Sequence, residues 1–429
     1  MNGSIDTGRR ATSPPLCCAD VPRTLSRLYA AALLVLMGVT WKLWAAAGSF
    51  PMIPAWSGLT GIPLAVDQAV SIAAAVCAGV ALFCAPCWRS WATTSVLLIV
   101  AAALNQHRCQ VWAYHLAIAG LIATASAPGR AVSRLRWLTI GIYAWSAVSK
   151  LDAGFAAGPG RLLWDGLMAA AHLDPAVLPA AVNRLAPWLM PAGELITAVA
   201  LAVPRWRRAG LVLSIAMHVL LLLAVGPLGL GHEWGVQVWN VLFIVQNVLL
   251  FRSRKVVAST ELPVLDTSPG LCRGGRLLDR AVGTLLVMAL VMPAFQPWGD
   301  WDVWPSWAVY STRGGWTTCF VHQDDVAKLP SAAQKHVGDP PPLSDWRPID
   351  VDAWSLAVLR CPVYPQSRFR LGVARALSQH ATIRVERRTA PDRRTGESRM
   401  EVIEVTSGQL PADVERSFWL NTQPRPLAR

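Results

Sequence analysis

Nine apolar runs, with arginines gathered in some of the segments between them, fill most of the chain between residues 28 and 297, and this alternation restricts the fold more than any other feature. They fall at 28–47, 65–84, 92–107, 111–127, 138–152, 190–204, 209–228, 236–252 and 281–297. Crossing the bilayer core takes about 20 mostly apolar residues; several runs are shorter, so the expected number of spans is about nine. Only 15% of the 429 residues are charged, against about 25% in an average soluble domain. The expected architecture is an all-α polytopic membrane helix bundle.

The cations between the runs are unevenly shared. Segments holding Arg9 to Arg27, Arg89, Arg130 to Arg136, Arg205 to Arg208 and Arg252 to Arg280 alternate with segments whose cations are Arg108, Arg161 and Arg184. Cytoplasmic loops carry such an excess of Lys and Arg. The expected topology therefore places a cytoplasmic tail at 1–27, with no cleavable signal, on an inner-membrane bundle. An odd number of spans then carries residues 298–429 to the extracytoplasmic side. The net charge of +13 lies in the same short clusters, so it is a topology signal, and nucleic-acid binding is not expected. The chain divides into the tail, N-terminal helices at 28–137, a core at 138–252, a cytoplasmic loop at 253–280, a last span at 281–297 and the outer domain.

That domain is expected to be a small α+β unit. WGDWDVWPSWAVY (298–310) is dense in tryptophan, which favours the membrane interface, and reads as an interfacial anchor. TTCFVH reads as a strand, and DVDAWSLAVL and LGVARALSQH have helical patterns. ATIRVERR and SRMEVIEV, on either side of APDRRTGE, read as a β-hairpin. Cys319 and Cys361 both lie here, where an extracytoplasmic compartment permits a disulfide.

An ionisable side chain at bilayer depth costs about 2.5–3.5 kcal/mol on insertion scales, so those that occur tend to be paired or functional. Lys150 closes the stretch YAWSAVSK and shares one helix face with Tyr143 and Ser146. Three readings of it stay open: a side chain snorkelling to the headgroups, an ion pair with Asp152 or Glu194, or a chemical role. Glu194 opens the run GELITAVALAV, and His218 lies inside SIAMHVLLLLAVG. A neutral imidazole at that depth can bind a quinone carbonyl, a metal or a proton, or simply bond a neighbouring helix. His115 follows Trp112 by three residues, beside the polar knot NQHRCQ at 105–110. Lys150, Glu194, His218 and His115 are thus the candidate chemical groups, with His218 and Tyr143 as candidate cofactor contacts. Cys84 and Cys87 have the Cys-x-x-Cys spacing of dithiol exchange, although no strand–helix pattern of a thioredoxin-type fold surrounds them. The glycine-rich stretch with His232 and Glu233 reads as an interfacial loop. No His/Glu spacing forms a metal motif, so no metal is expected, and no nucleophile elbow, phosphate loop or paired catalytic carboxylates occur.

The block from 138 to 252 resembles the DoxX/MauE-like membrane family, a four-helix core. Ser149–Lys150–Leu151 matches the end of the family's first helix. Glu194 and the basic turn Arg205–Arg208 match the start and close of its second, and MHVLLLLAVG the third. The long insertion 153–189, the preceding spans and the C-terminal domain depart from that compact pattern. The resemblance implies a redox-associated multi-pass inner-membrane protein that contacts a quinone or thiol partner and a periplasmic client. Two alternatives remain: a non-catalytic scaffold for the outer domain, and a transporter or carboxylase-like enzyme. The last rests on a fainter likeness of the "KLD" stretch to the horizontally transferred transmembrane domain of vitamin K-dependent carboxylase-like proteins.

Overall fold

The computed structural model describes residues 20–46, 50–84, 87–252, 273–389 and 397–426. Most of the expected N-terminal tail, residues 253–272 of the cytoplasmic loop and the tip of the C-terminal hairpin lie outside the described residues. The helical part begins with α1 (Asp20–Val39), the one-turn α2 (Trp41–Trp44), α3 (Leu64–Phe83), α4 (Trp88–Leu104) and α5 (Val111–Ala125). It continues with α6 (Pro128–Ser149), α7 (Ala153–Ala157), α8 (Pro159–Ala170), α9 (Ala180–Leu185) and α10 (Leu189–Ala202). Helices α11 (Arg207–Val225), α12 (Trp234–Phe251) and α13 (Arg273–Val291) complete it.

Packing in these helices is inverted relative to a soluble core. Along α3, Ala74, Ala78 and Ala81 are fully buried, while Ile72, Val76 and Phe83 are exposed. Small residues let helix backbones approach where lipid supplies no hydrophobic drive, and the large apolar side chains are left to face acyl chains. The same closeness appears where Gly120 of α5 meets the buried indole of Trp91: a Cβ there would lie 2.2 Å from the ring.

Among the described residues, five helical stretches are long and apolar enough to cross a membrane: Leu64–Phe83, Ala180–Ala202, Arg207–Val225, Trp234–Phe251 and Leu277–Trp298. The other four expected spans fall short for two reasons. Trp88–Leu104 and Val111–Ala125 are short apolar helices. Helices α1 and α6 are long, but each takes several arginines into its length: Arg23 and Arg27 in one, Arg130, Arg134 and Arg136 in the other.

The C-terminal region holds an antiparallel sheet in the order β2-β1-β3-β4, built from β1 (Trp316–His322), β2 (Trp346–Ile349), β3 (Ile383–Arg388) and β4 (Met400–Val405). The expected hairpin is β3–β4, with Val385 opposite Ile403. Val321, Ile383, Val385 and Val405 point inward at 0% exposure, as the period-2 pattern of a half-buried sheet requires. The expected helices are α15 (Val351–Leu359) and α16 (Ser367–Leu377); the one-turn α14 (Ser331–Gln334) and α17 (Ala412–Arg416) complete the set. Cys319 and Cys361 are both buried and free, so the disulfide is not formed. The tryptophan-rich stretch is only partly an anchor. Trp298 is exposed, but Trp304 and Trp307 are buried, and Trp307 donates from Nε1 to the Ala289 carbonyl of α13 at 3.0 Å.

Helix α16 lies between the sheet and the bundle. Gly372 allows the close approach: a Cβ there would come within 2.5 Å of Ile53 and 2.9 Å of the Thr422 carbonyl. The domain thus sits on the end of the bundle formed by residues 50–63, 105–110 and 149–152, away from the arginine-rich end.

Candidate functional site

One face of α6 is polar from Arg136 to its C-terminal end. Arg136, Thr139, Tyr143, Ser146 and Lys150 recur at three- and four-residue steps, so they share a side of the helix. All five are nearly or fully buried. Each finds a partner on another helix. Arg136 Nε donates to the Leu250 carbonyl at 2.8 Å, and Gln246 Nε2 donates to Thr139 Oγ1 at 3.0 Å.

Midway along the seam the hydrogen bonds have a fixed direction. Asn240 Nδ2 donates to the Val236 carbonyl at 2.9 Å, which leaves its Oδ1 to accept from His218 Nδ1 at 2.8 Å. The other ring nitrogen, Nε2, then accepts from the Tyr143 hydroxyl at 2.7 Å. Asn247 Nδ2 donates in turn to Tyr143 at 2.6 Å and to Ser214 at 2.9 Å. With Nδ1 as the donor to Asn240, a neutral imidazole is held here as one tautomer.

At the end of the seam, Lys150 Nζ lies 2.8 and 2.9 Å from the two Glu194 oxygens, and Ser146 Oγ donates to Glu194 Oε1 at 3.0 Å. The lysine side chain is 1% exposed and the glutamate 6%. The pairing reading of Lys150 therefore holds and the snorkelling one does not. Asp152 takes no part in it; its Oδ1 caps α7 through the Phe155 amide at 2.7 Å and accepts from Thr312 at 2.9 Å.

The remaining candidates separate from this set. His115 is buried, receives a hydrogen bond from Trp239 Nε1 at 3.2 Å, and is parted from His218 by the Phe243 ring, which stacks on both at 5.2 and 5.0 Å. Cys84 and Cys87, at the end of α3 and just before α4, are exposed and free. The Ser90 backbone amide and hydroxyl hold the Cys87 thiol below its usual range. No group of three or more metal-ligating side chains occurs among the described residues. A cavity of about 10 Å³ lies among Lys42, Phe50, Met52, Asn105 and Leu359, and none of the candidates lines it.

A second polar concentration joins bundle to domain, and reading the sequence alone missed it. Asp67, fully buried in the first turn of α3, is paired with both Arg108 and Arg425. Arg108 also donates to the Leu43 and Trp44 carbonyls at 3.1 Å each. Gln106 Nε2 donates to the Pro54 and Asn421 carbonyls at 2.9 and 2.8 Å, while its oxygen accepts from Arg368 at 2.7 Å. Arg368 Nη1 reaches Asp302 at 2.7 Å. Arg313 donates to the Val148 carbonyl at 2.7 Å and the Ser149 carbonyl at 3.2 Å, satisfying groups that the end of α6 leaves open. His107, beyond the end of α4, bonds the Pro362 carbonyl through Nε2 at 3.0 Å, with Cys361 Sγ at 3.6 Å. Burial, aided by the nearby Arg108 and Arg370 charges, pulls this imidazole down to about 4, and burial pushes the Cys361 thiol up to about 12. The one sequence signal was the polar knot NQHRCQ between two apolar runs.

Fold and site together define a multi-pass membrane protein with a polar seam inside its helical bundle and a small α+β domain docked at one end. Residues 120–232 match the family model described as methylamine utilisation protein MauE, so this stretch is MauE-like. It contains the end of α5 and all of α6, α10 and α11, and with them Tyr143, Ser146, Lys150, Glu194 and His218. No curated protein and no solved structure matches the chain.

Proposed function

We propose that this chain is a redox-associated inner-membrane scaffold: the bundle is a non-catalytic anchor, and it holds the C-terminal domain rigidly at the extracytoplasmic face for a partner protein. The MauE-like match supports the redox association. The observation that carries the scaffold reading is the fastening of residues 298–426 to the bundle through Asp67, Gln106 and His107, because a domain that presents a surface must be held still. The seam fits the same reading. An oxidised quinone needs a donor at its carbonyl, yet the Tyr143 hydroxyl is used on His218 and the His218 ring N–H on Asn240. As arranged, this array leaves neither of these donors free for one.

Crosslinking in cells tests the reading. A partner should be recovered with the full chain, with the Lys150→Met/Glu194→Leu pair and with His218→Asn. It should be lost from a chain ending at residue 297, although that chain still reaches the membrane. Recovery by the shortened chain would overturn the scaffold, as would stoichiometric quinone in the purified protein.

A further inference from the structure

The insertion between α6 and α10, residues 153–189, reads from sequence as an extracytoplasmic loop, yet its surface is not that of a loop in water. It folds as α7, α8, a 3₁₀ turn at Pro175–Val177 and α9. Asn183 ties these together: its oxygen accepts from Trp164 Nε1 at 3.0 Å, and its amide donates to the Pro175 carbonyl at 2.6 Å. This compact piece exposes Leu162 at 50%, Leu173 at 51%, Val177 at 74% and Leu185 at 64%. Its charges are partly used inside it: Arg161 pairs with Asp165 at 2.9 Å, and Asp174 caps the 3₁₀ turn through the Ala176 amide at 2.8 Å.

Exposed apolar side chains gathered on one compact piece point to an interaction face, and the continuation of α9 identifies what covers it. Helix α9 runs through a 3₁₀ turn into α10, and residues 180–202 form one stretch long and apolar enough to span a membrane. Val182, Leu185, Leu189, Ile196 and Val199 are all exposed along it at steps of three, four or seven residues, so they form one stripe. The α10 half of that stripe is the outer wall of the bundle, where lipid lies. The α9 half continues the same stripe toward the end that carries the C-terminal domain, where Asp152 meets Thr312.

We propose that residues 153–189 are a membrane-surface element, seated in the headgroup–acyl boundary of the leaflet on the side of the C-terminal domain, with phospholipid as the occupant of their apolar face. Amphipathic helices lie in that boundary by burying their apolar side about 5–10 Å deep. The element widens the footprint of the bundle in one leaflet only.

The test is photocrosslinking of the full chain in phosphatidylcholine/phosphatidylglycerol nanodiscs. p-Benzoylphenylalanine replaces Val177, Leu185 or, as the reference inside the bilayer, Ile196. Each variant is first checked for an unchanged thermal midpoint, and Leu173 replaces a position that fails. Phospholipid adducts at Val177 and Leu185 as well as Ile196 are the expected result. Adducts at Ile196 with none at the other two would return the insertion to water. A crosslinked dimer through Val177 or Leu185 would assign the face to a second copy. Either result overturns the proposal.

Discussion

Lys150–Glu194 in the seam and Asp67–Arg108–Arg425 at the junction are both buried ionic clusters, but they differ in charge balance and in what they join. The seam pair is neutral, and its partners stand 44 residues apart within the MauE-like region. The junction cluster sets two guanidinium groups against one carboxylate and draws its members from α3, the polar knot after α4 and the C-terminal tail. The extra positive charge is held by main-chain carbonyls: Leu43 and Trp44 face Arg108, and Ile62 faces Arg425. A balanced pair can be replaced by apolar side chains of similar volume at little cost, whereas removing one partner leaves an uncompensated buried charge. The difference teaches that the seam locks helices within one region, while the junction fastens two regions through one carboxylate.

The largest effect should therefore come from Asp67. Asp67→Asn leaves two buried guanidinium groups without a counter-charge, and the loss should be at least the ~3–5 kcal/mol typical of a broken buried pair. Limited proteolysis should then release a C-terminal fragment that the parent protein retains. Arg425→Ala should cost less, since Asp67 keeps Arg108. Equal protease resistance in Asp67→Asn and parent would erase the contrast between the clusters.

Glu194→Gln should come next, at about 3–5 kcal/mol, read as a lower thermal midpoint of the bundle with the domain still docked. The Lys150→Met/Glu194→Leu double variant should lie well above Glu194→Gln alone, because no charge is left unpaired. A double variant as unstable as the single one would mean that the seam depends on the ion pair itself.

The same contrast explains what could be read from the sequence. Lys150, Glu194 and His218 stand out because each interrupts an apolar run, and the spacing of Tyr143, Ser146 and Lys150 already puts them on one face. Their convergence follows from local periodicity plus neighbouring helices. Asp67 sits at the mouth of an apolar run, where a carboxylate looks like an ordinary helix start. Arg425 lies in a proline-bearing tail with no periodicity at all. Nothing local pairs residues 358 positions apart; only docking of the domain does. Trp304 and Trp307 depart from the anchor reading for a related reason. Tryptophan density signals an interface, but in this fold the membrane interface is also where the domain closes over the bundle, so these rings are covered by protein. The α+β elements were legible because the period-2 alternation of β3 and β4 and the helical pattern of α16 are local. The insertion was not, because its apolar residues are spread over short helices.

The smallest of the three effects separates the clusters by pH. His107 belongs to the junction, and its imidazole is pulled from 6.5 down to about 4 by burial. Undocking returns it to water, where it binds a proton more readily, so the undocked state holds more protons between those two values. Stability of the junction is then complete above pH 6.5 and declines as pH falls toward 4. The full loss is about 3 kcal/mol, at about 1.4 kcal/mol per pKa unit. His107→Gln, whose amide can still donate to the Pro362 carbonyl, should flatten this dependence without changing the response of the seam. Protease release of the C-terminal fragment, followed from pH 7.5 down to 4.5 for parent and variant, measures it. Parallel curves would remove His107 as the cause and leave the junction distinguished from the seam by charge balance alone.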